Sequence, residues 1–181
     1  MNENQELERE RAVVEARIRT AEAERTWSAV RKFATGVAVV TAGADEAVHG
    51  TTVSAFTFIS WNPALISICL CPGGKLLHLV AERGSFAVNV LASGQAELAR
   101  QFADPRRRPG LGQFESVPWI PGGDGKVPLL LGAVCWLDCR YLRHETVGDH
   151  DVVLAEVASV TESEGAPLLY FGGKLYPAVI R

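Results

Sequence analysis

Apolar positions follow two different rhythms along the chain. From residue 3 to about 33 there is no proline or glycine, and Glu, Arg and Ala dominate. Apolar residues there fall on helical spacing, first at Leu7, Val14, Ile18 and Ala21, then at Trp27, Val30 and Phe33. This predicts a helix with a thin apolar stripe followed by a stronger one. Residues 1–26 read as an extension. It either packs on a partner subunit or is a solvated helix held by Glu/Arg pairs. The domain proper is expected to span 27–181.

From Gly36 the period shortens. Val37 to Thr41 is an apolar run, residues 43–46 a turn, and Val48 to Phe58 a second run, which together predict a hairpin. Asn62-Pro63 interrupts, and Ala64 to Cys71 forms a third strand. Pro72-Gly73-Gly74 is a loop, and Lys75 to Glu82 a short helix ended by Gly84. Phe86 to Leu91 is a nearly continuous apolar strand. Ser93 is expected to cap a helix over 95–102. Residues 103–127 carry Pro105, Pro109, Pro118 and Pro121 and read as one long loop. Strand returns from Leu129, with alternation over 133–142, a turn over 144–149, a long strand over 150–160 and a short one over 168–171. Six or more hairpin-linked strands with two short helices predict a mainly β, antiparallel barrel rather than a parallel sheet.

Composition narrows the partners more than the fold. With 181 residues the chain suits one domain with a substantial core. A net charge of -3 gives no reason to expect nucleic acid or an anionic membrane. No run approaches the roughly 20 apolar residues of a membrane span. The N-terminus is charged from Glu3 and lacks a signal-peptide core, so the cytoplasm is the expected compartment. The run Arg106-Arg107-Arg108 reads as a solvated loop, with anion contact as the minor alternative. Cys69 and Cys71 share one strand face, and Cys135 and Cys139 another. A four-thiolate zinc site is weighed against small buried core residues and disfavoured, because metal-binding pairs usually sit on turns; no metal is expected.

No Walker loop, dinucleotide glycine fingerprint, HExxH helix or nucleophile elbow is present. The distinctive segment is Gly50 to Ser60, crowded with small hydroxyls. Such a strand suits a pocket wall for a flat hydrogen-bonding ligand, although Thr and Ser also favour β structure in their own right. Gly148-Asp149 is a good hairpin turn by itself. Asn89, in an apolar strand, is open to reading as a satisfied core polar group.

Four motifs occur in order: F-A-T-G-V-A-V-V-T from Phe33, H-G-T-T-V-S-A-F from His49, F-A-V-N-V-L from Phe86 and G-D-H from Gly148. The triplet P-L-L at Pro128 to Leu130 lies between the last two. Together they resemble the flavin reductase-like family, FMN-binding split barrels that supply reduced flavin to two-component monooxygenases, over about residues 27–180. The resemblance implies a split β-barrel in which Thr51, Thr52, Val53, Ser54 and Ala55 line the flavin ring and ribityl chain. It implies that Phe86, Asn89, Val90 and Leu91 flank the other edge. Gly148, Asp149 and His150 would form the nicotinamide-associated turn, with His150 nearest the hydride donor.

One departure falls at the phosphate end. Where the family places Ser-x-Thr, this chain reads Gly74-Lys75-Leu76. Free amides at Gly73 and Gly74, and the charge of Lys75, are expected to substitute. The alternatives are a weaker site, one tuned to the FAD pyrophosphate, or a barrel that has lost flavin. The resulting expectation is a homodimeric NAD(P)H-dependent flavin reductase, using FMN or FAD with NADH or NADPH and feeding a separate monooxygenase. Its competitors are a ligand-binding split barrel without reductase activity and an enzyme that keeps its flavin for another reaction.

Overall fold

The structure is a computed structural model that describes residues 20–122 and 127–179. The predicted helix before residue 20 lies outside these. The chain clusters into two compact units, one up to Ala34 with Phe171–Lys174, the other Thr35–Tyr170 with Leu175 onward. In the first unit residues 20–30 are helical (α1). Trp27, Val30 and Phe33 are exposed. The Arg31 guanidinium sits over the Trp27 ring at 4.8 Å, and the Gly172 amide donates to the Arg31 carbonyl at 2.8 Å.

The second unit is built on antiparallel strands. In chain order the elements are β1 (Thr35–Gly36), β2 (Ala38–Ala42), β3 (His49–Val53), β4 (Phe56–Trp61), β5 (Ala64–Leu70), helix α2 (Lys75–Arg83), β6 (Ser85–Val90) and helix α3 (Ala96–Ala103). There follow β7 (Trp119–Gly122), β8 (Val127–Leu130), β9 (Cys135–Val147), β10 (His150–Glu162), β11 (Leu168–Phe171) and β12 (Lys174–Pro177). Seven strands form one sheet in the order β3-β2-β6-β9-β10-β5-β4. β7 pairs with β8, and β1, β11 and β12 form a small third sheet.

That order forces curvature. In a flat sheet the outermost strands β3 and β4 would lie about 29 Å apart, six strand spacings of about 4.8 Å. Yet only Ser54 and Ala55 join Val53 to Phe56, a reach of about 11 Å at most. The sheet therefore wraps on itself, and at its β4 edge the Cys69 amide donates to the Ala55 carbonyl at 3.2 Å, extending the β4–β5 ladder to the seam. β3 and β4 do not pair with each other, so the barrel is split along this seam.

Two apolar layers explain the continuous hydrophobic runs. Ala38, Val40, Val53, Ile66, Ile68, Phe86, Val88 and Val153 fill the inner core together with Leu76, Leu77, Leu79 and Val80 of α2. Val37, Val39, Val48, Leu91, Phe102, Phe114 and Leu130 form a second core outside β2 and β3. β2 is buried on both faces, which is why its sequence does not alternate.

Several boundaries differ from the sequence expectation. The single strand expected over 48–58 is two strands, broken at Ser54-Ala55 by the seam. The turn expected over 144–149 shrinks to Gly148-Asp149, and β9 continues to Val147, which pairs with His150. Gly148 has φ +64 and is the first residue of a two-residue loop, the position that a type II′ turn reserves for glycine. Ser93 does not cap α3; its amide instead donates to Ala166. Gln95 occupies the cap position, its side-chain oxygen accepting from the Ala92 amide at 2.9 Å. The loop expected over 103–127 contains a 3-10 turn, Gly110–Gln113, and the strand β7. Among the cysteines, Cys139 is buried as expected, but Cys71 is exposed at the end of β5. Burial, with the Asp138 charge, pushes the Cys139 thiol up to about 12, so it stays protonated. No group of three or more His, Cys, Asp or Glu among the described residues is placed to hold a metal.

Candidate functional site

The register brings most of the predicted positions to one end of the curled sheet. β5 runs toward Leu70, which pairs with Asp151, so His150 and the Gly148-Asp149 turn sit beside the end of β5. The chain then passes through Cys71-Pro72-Gly73-Gly74 into α2. Ser54 and Ala55 flank the same end, tied by the Cys69–Ala55 bond.

β3 presents two unlike faces. Gly50 and Thr52 turn toward α3: the Thr52 hydroxyl donates to the Ala99 carbonyl at 2.7 Å. A Cβ on Gly50 would meet the Phe102 ring at 2.7 Å, so only glycine fits against that side chain. Val53 is buried in the inner core. The hydroxyl of Thr52 and the side chain of Val53 are therefore committed to packing and are not open to a ligand. Thr51 keeps its hydroxyl at the site, where it accepts from Arg107 at 3.1 Å. Ser54 is half-buried in the seam and Ala55 is exposed.

β6 does not present a ligand wall. Phe86 fills the inner core and Leu91 the outer one. Asn89 is 0% exposed. It donates to the Val39 carbonyl at 2.9 Å and to the Thr41 hydroxyl at 3.1 Å, and accepts from the Leu130 amide at 2.7 Å. Thr41 passes the chain on to the Pro128 carbonyl at 2.7 Å. Asn89 thus joins β2, β6 and β8, and a central strand has no side-chain room left for a ring. Val90 alone of the four is half-buried.

The phosphate-end expectation is corrected in one detail. The Gly74 amide is not free; it donates to the Cys71 carbonyl at 3.2 Å and closes a turn in which Gly73 has φ +65. The first α2 bond runs from the His78 amide to the Gly74 carbonyl, so the open amides belong to residues 75–77. Lys75 is exposed at the start of α2.

Beside this corner lies a cluster that the sequence reading did not assign. Arg107 is fixed by five polar contacts, three of which share the two hydrogens of Nη2. They reach the Gly50 carbonyl at 2.8 Å, the Thr51 hydroxyl, His49 Nε2 at 2.9 Å, the Asp104 carbonyl at 2.8 Å and Gln113 Oε1 at 3.1 Å. Gln113 is itself buried and accepts from the Gly50 amide at 3.2 Å. The flanking arginines do pair at the surface, Arg106 with Asp104 and Arg108 with Glu115. This pairing, which only the fold reveals, serves the outer two arginines and leaves Arg107 with no salt bridge among the described residues, although the Asp104 charge acts on it. His49, quoted within a motif but given no role, is held down to about 4, chiefly by burial and then by the Arg107 and Lys75 charges. Its ring is neutral at ordinary pH.

His150 is partly exposed on the turn, its Nδ1 2.9 Å from the Asp149 carboxylate, and that hydrogen bond holds the Asp149 pKa down. The corner thus combines an uncommitted Ser54 hydroxyl, Lys75 and open helix amides beside an exposed imidazole, with the His49–Arg107 cluster near enough for the Lys75 charge to act on His49. It suits an elongated ligand with an anionic tail and a flat hydrogen-bonding body.

The Flavin reductase like domain model matches residues 30–178. The NADH-dependent FAD reductase of Streptomyces globisporus is 40% identical over 145 residues, covering 78% of each chain. Among solved structures, the NADH:FAD oxidoreductase of Streptomyces globisporus, solved with NAD and FAD fragments, superposes with TM-score 0.80 at 33% identity. That superposition covers 88% of this chain and 94% of the other. The flavin reductase component of a bacterial two-component tryptophan halogenase superposes with TM-score 0.82 at 31% identity, over 88% of this chain and 99% of that one.

Proposed function

The chain belongs to the flavin reductase-like family, and we propose that it reduces FMN or FAD with NADH or NADPH and hands the reduced flavin to a separate monooxygenase or halogenase component. Bound flavin would supply the redox chemistry, taking hydride at N5 from C4 of the nicotinamide. The chain's own residues bind and orient. Thr51, Ser54 and Ala55 would edge the ring beside the seam, while Lys75 and the open amides at the start of α2 would hold the tail. Gly148, Asp149 and His150 would receive the nicotinamide, with Asp149 fixing the imidazole of His150. Phe86, Asn89 and Leu91 contribute by holding the frame.

The single observation carrying this reading is the cationic corner at the seam. Lys75 at the start of α2 and Arg107 both act on the His49 ring, and neither forms a salt bridge among the described residues. An anionic group there would be bound by charge and by amides together. The test is oxidation of NADH or NADPH by the purified protein with added FMN or FAD. Turnover with at least one flavin is expected. Binding without turnover would leave a flavin-binding split barrel that is not a reductase.

Assembly as a homodimer in the cytoplasm is part of the same reading. Phe58, Ile59 and Trp61 lie exposed on the outermost strand β4, with Trp61 88% exposed. Such a band suits a second copy. No helix among the described residues is long and apolar enough to cross a membrane. If residues 1–26 are an extension that mediates assembly, removing them will change the oligomeric mass in solution. An unchanged mass refutes that role.

A further inference from the structure

A bulge in β9 gathers two ring side chains that the flavin reading has not used. Arg143 pairs with Leu154 and Tyr141 with Ala155, so Leu142 is an extra residue with no partner of its own in β10. Residues three apart on a regular strand point to opposite faces. The extra residue brings Tyr141 and His144 to one face, opposite Ala155 and Val153 of the inner core. Bulges of this kind re-aim side chains and are common beside active sites. The Tyr141 hydroxyl lies 2.7 Å from His144 Nδ1, and the two rings stand 6.0 Å apart at 40°. Tyr141 is anchored: it packs on the inner core, and its amide donates to the Gly84 carbonyl at 2.9 Å. His144 is exposed, and its Nε2 has no hydrogen bond among the described residues.

The pair stands alongside α2. β5 ends at Leu70, level with Asp151 and so with Thr146, and the chain then turns through residues 71–74 to the open amides at the helix start. His144 lies two residues from Thr146 on the same face, about 7 Å along β9. At its far end α2 closes at Gly84, which Tyr141 contacts. A nucleotide whose phosphates sit at the helix start therefore has an aromatic seat one nucleoside's length away. Adenine suits that seat on two counts. It stacks on either ring. Its N6 amino group and N7 lie side by side as donor and acceptor, so it answers His144 Nε2 whichever tautomer the Tyr141 bond selects.

We propose that Tyr141 and His144 seat the adenine ring of FAD, so that this chain carries a second-nucleotide site which FMN leaves empty. This rests on the flavin-binding reading above. His144 is the binding residue. Tyr141 adds ring surface and positions the imidazole through its hydroxyl.

The experiment is a calorimetric titration of the full chain with FAD and with FMN, which lacks the AMP half. Wild type is compared with His144→Ala, His144→Phe and Tyr141→Phe. His144→Ala should weaken FAD binding about fivefold to tenfold, the scale of one base–aromatic stack, while FMN changes less than about twofold. His144→Phe keeps a ring face and should recover most of the FAD loss; a loss as deep as that of alanine overturns the proposal. Tyr141→Phe frees the imidazole and should weaken FAD about threefold, with FMN unaffected. Unchanged FAD affinity in that variant refutes the positioning role of Tyr141. Equal weakening for FAD and FMN, none for either, or a wild type that takes FMN alone overturns the proposal while leaving the flavin reading intact. Failure of wild type to bind either flavin overturns both. The nicotinamide donor is another source of adenine. KM for NADH is therefore compared with KM for reduced nicotinamide mononucleotide, which has no adenine, at saturating FMN. A His144→Ala effect confined to NADH, with the FAD-to-FMN ratio unchanged, puts the donor's adenine there and overturns the FAD assignment. Histidine NMR of wild type gives a check independent of any variant. The His144 ring signals should move with FAD and stay still with FMN; equal movement with both refutes the idea.

Discussion

β3 and β6 are similar to read in sequence and opposite in use. Both are short and both carry a motif of the family, T-T-V in one and F-A-V-N-V in the other. β6 lies between β2 and β9, so both of its edges are bonded and both of its faces covered. Its Asn89 side chain is spent inside the protein on three partners. β3 ends the sheet, and beyond it lies the seam. One face packs on α3, while the other leaves Thr51 beside Arg107. Position in the sheet order, rather than local composition, decides which motif builds the frame and which builds the wall.

That contrast breaks most sharply at Asn89. Asn89→Ala leaves the Val39 carbonyl, the Thr41 hydroxyl and the Leu130 amide short of partners, a loss of about 3 kcal/mol. At about 2–4 °C per kcal/mol for a chain of this size, the melting temperature should fall by about 6–12 °C. The folded fraction should bind FMN normally. Lost flavin binding at an unchanged melting temperature would move Asn89 into the site and abolish the distinction. On the wall side, Lys75→Ala should weaken FMN about tenfold, with riboflavin nearly unaffected. An unchanged FMN-to-riboflavin ratio would count against a tail contact there. His150→Ala should slow NADH-dependent reduction about fivefold to tenfold by misplacing the donor, with little change in flavin affinity. Parallel loss of both would remove its separate role.

A separate effect is in the pH dependence. His49 has a folded value of about 4 against 6.5 in the unfolded chain, so the unfolded state takes the proton first as pH falls. This histidine therefore costs stability progressively from pH 6.5 down to about 4 and nothing above that window. His49→Gln should flatten the fall in urea midpoint over that range relative to wild type. Identical slopes would show that the ring is not held neutral.

Much of the frame was legible because it depends on local pattern. The two-sided apolar runs of β2 and β6, the α2 stop at Gly84 and the Gly148-Asp149 turn all follow from residue chemistry within a few positions. The break at Ser54-Ala55 was not legible. Thr, Val, Phe and Ile give continuous strand propensity across it, and only closure of the sheet demands a corner there. Arg107 was hidden for a related reason. Three consecutive arginines look alike until the fold assigns Asp104 and Glu115 to the outer two. The commitment of Thr52 to Ala99, and of the Gly74 amide to Cys71, likewise depends on partners that no local window contains. The site was thus readable as a set of strands, while the choice of which side chains remain free belongs to tertiary structure.

The Ser54-Ala55 seam has a consequence for how the chain assembles and breathes. β3 and β4 are neighbours in sequence yet terminal in opposite directions of the hydrogen-bond ladder. They cannot zip together as a hairpin. Each must wait for its own partner, β2 for one and β5 for the other, and the two meet only when the whole circuit through β6, β9 and β10 is complete. Contacts of such long range form late and open early. Backbone amides around residues 51–56 should therefore exchange with solvent faster than those of β6. A ligand seated across the seam would act as the missing ladder rung, slowing that exchange in proportion to its occupancy.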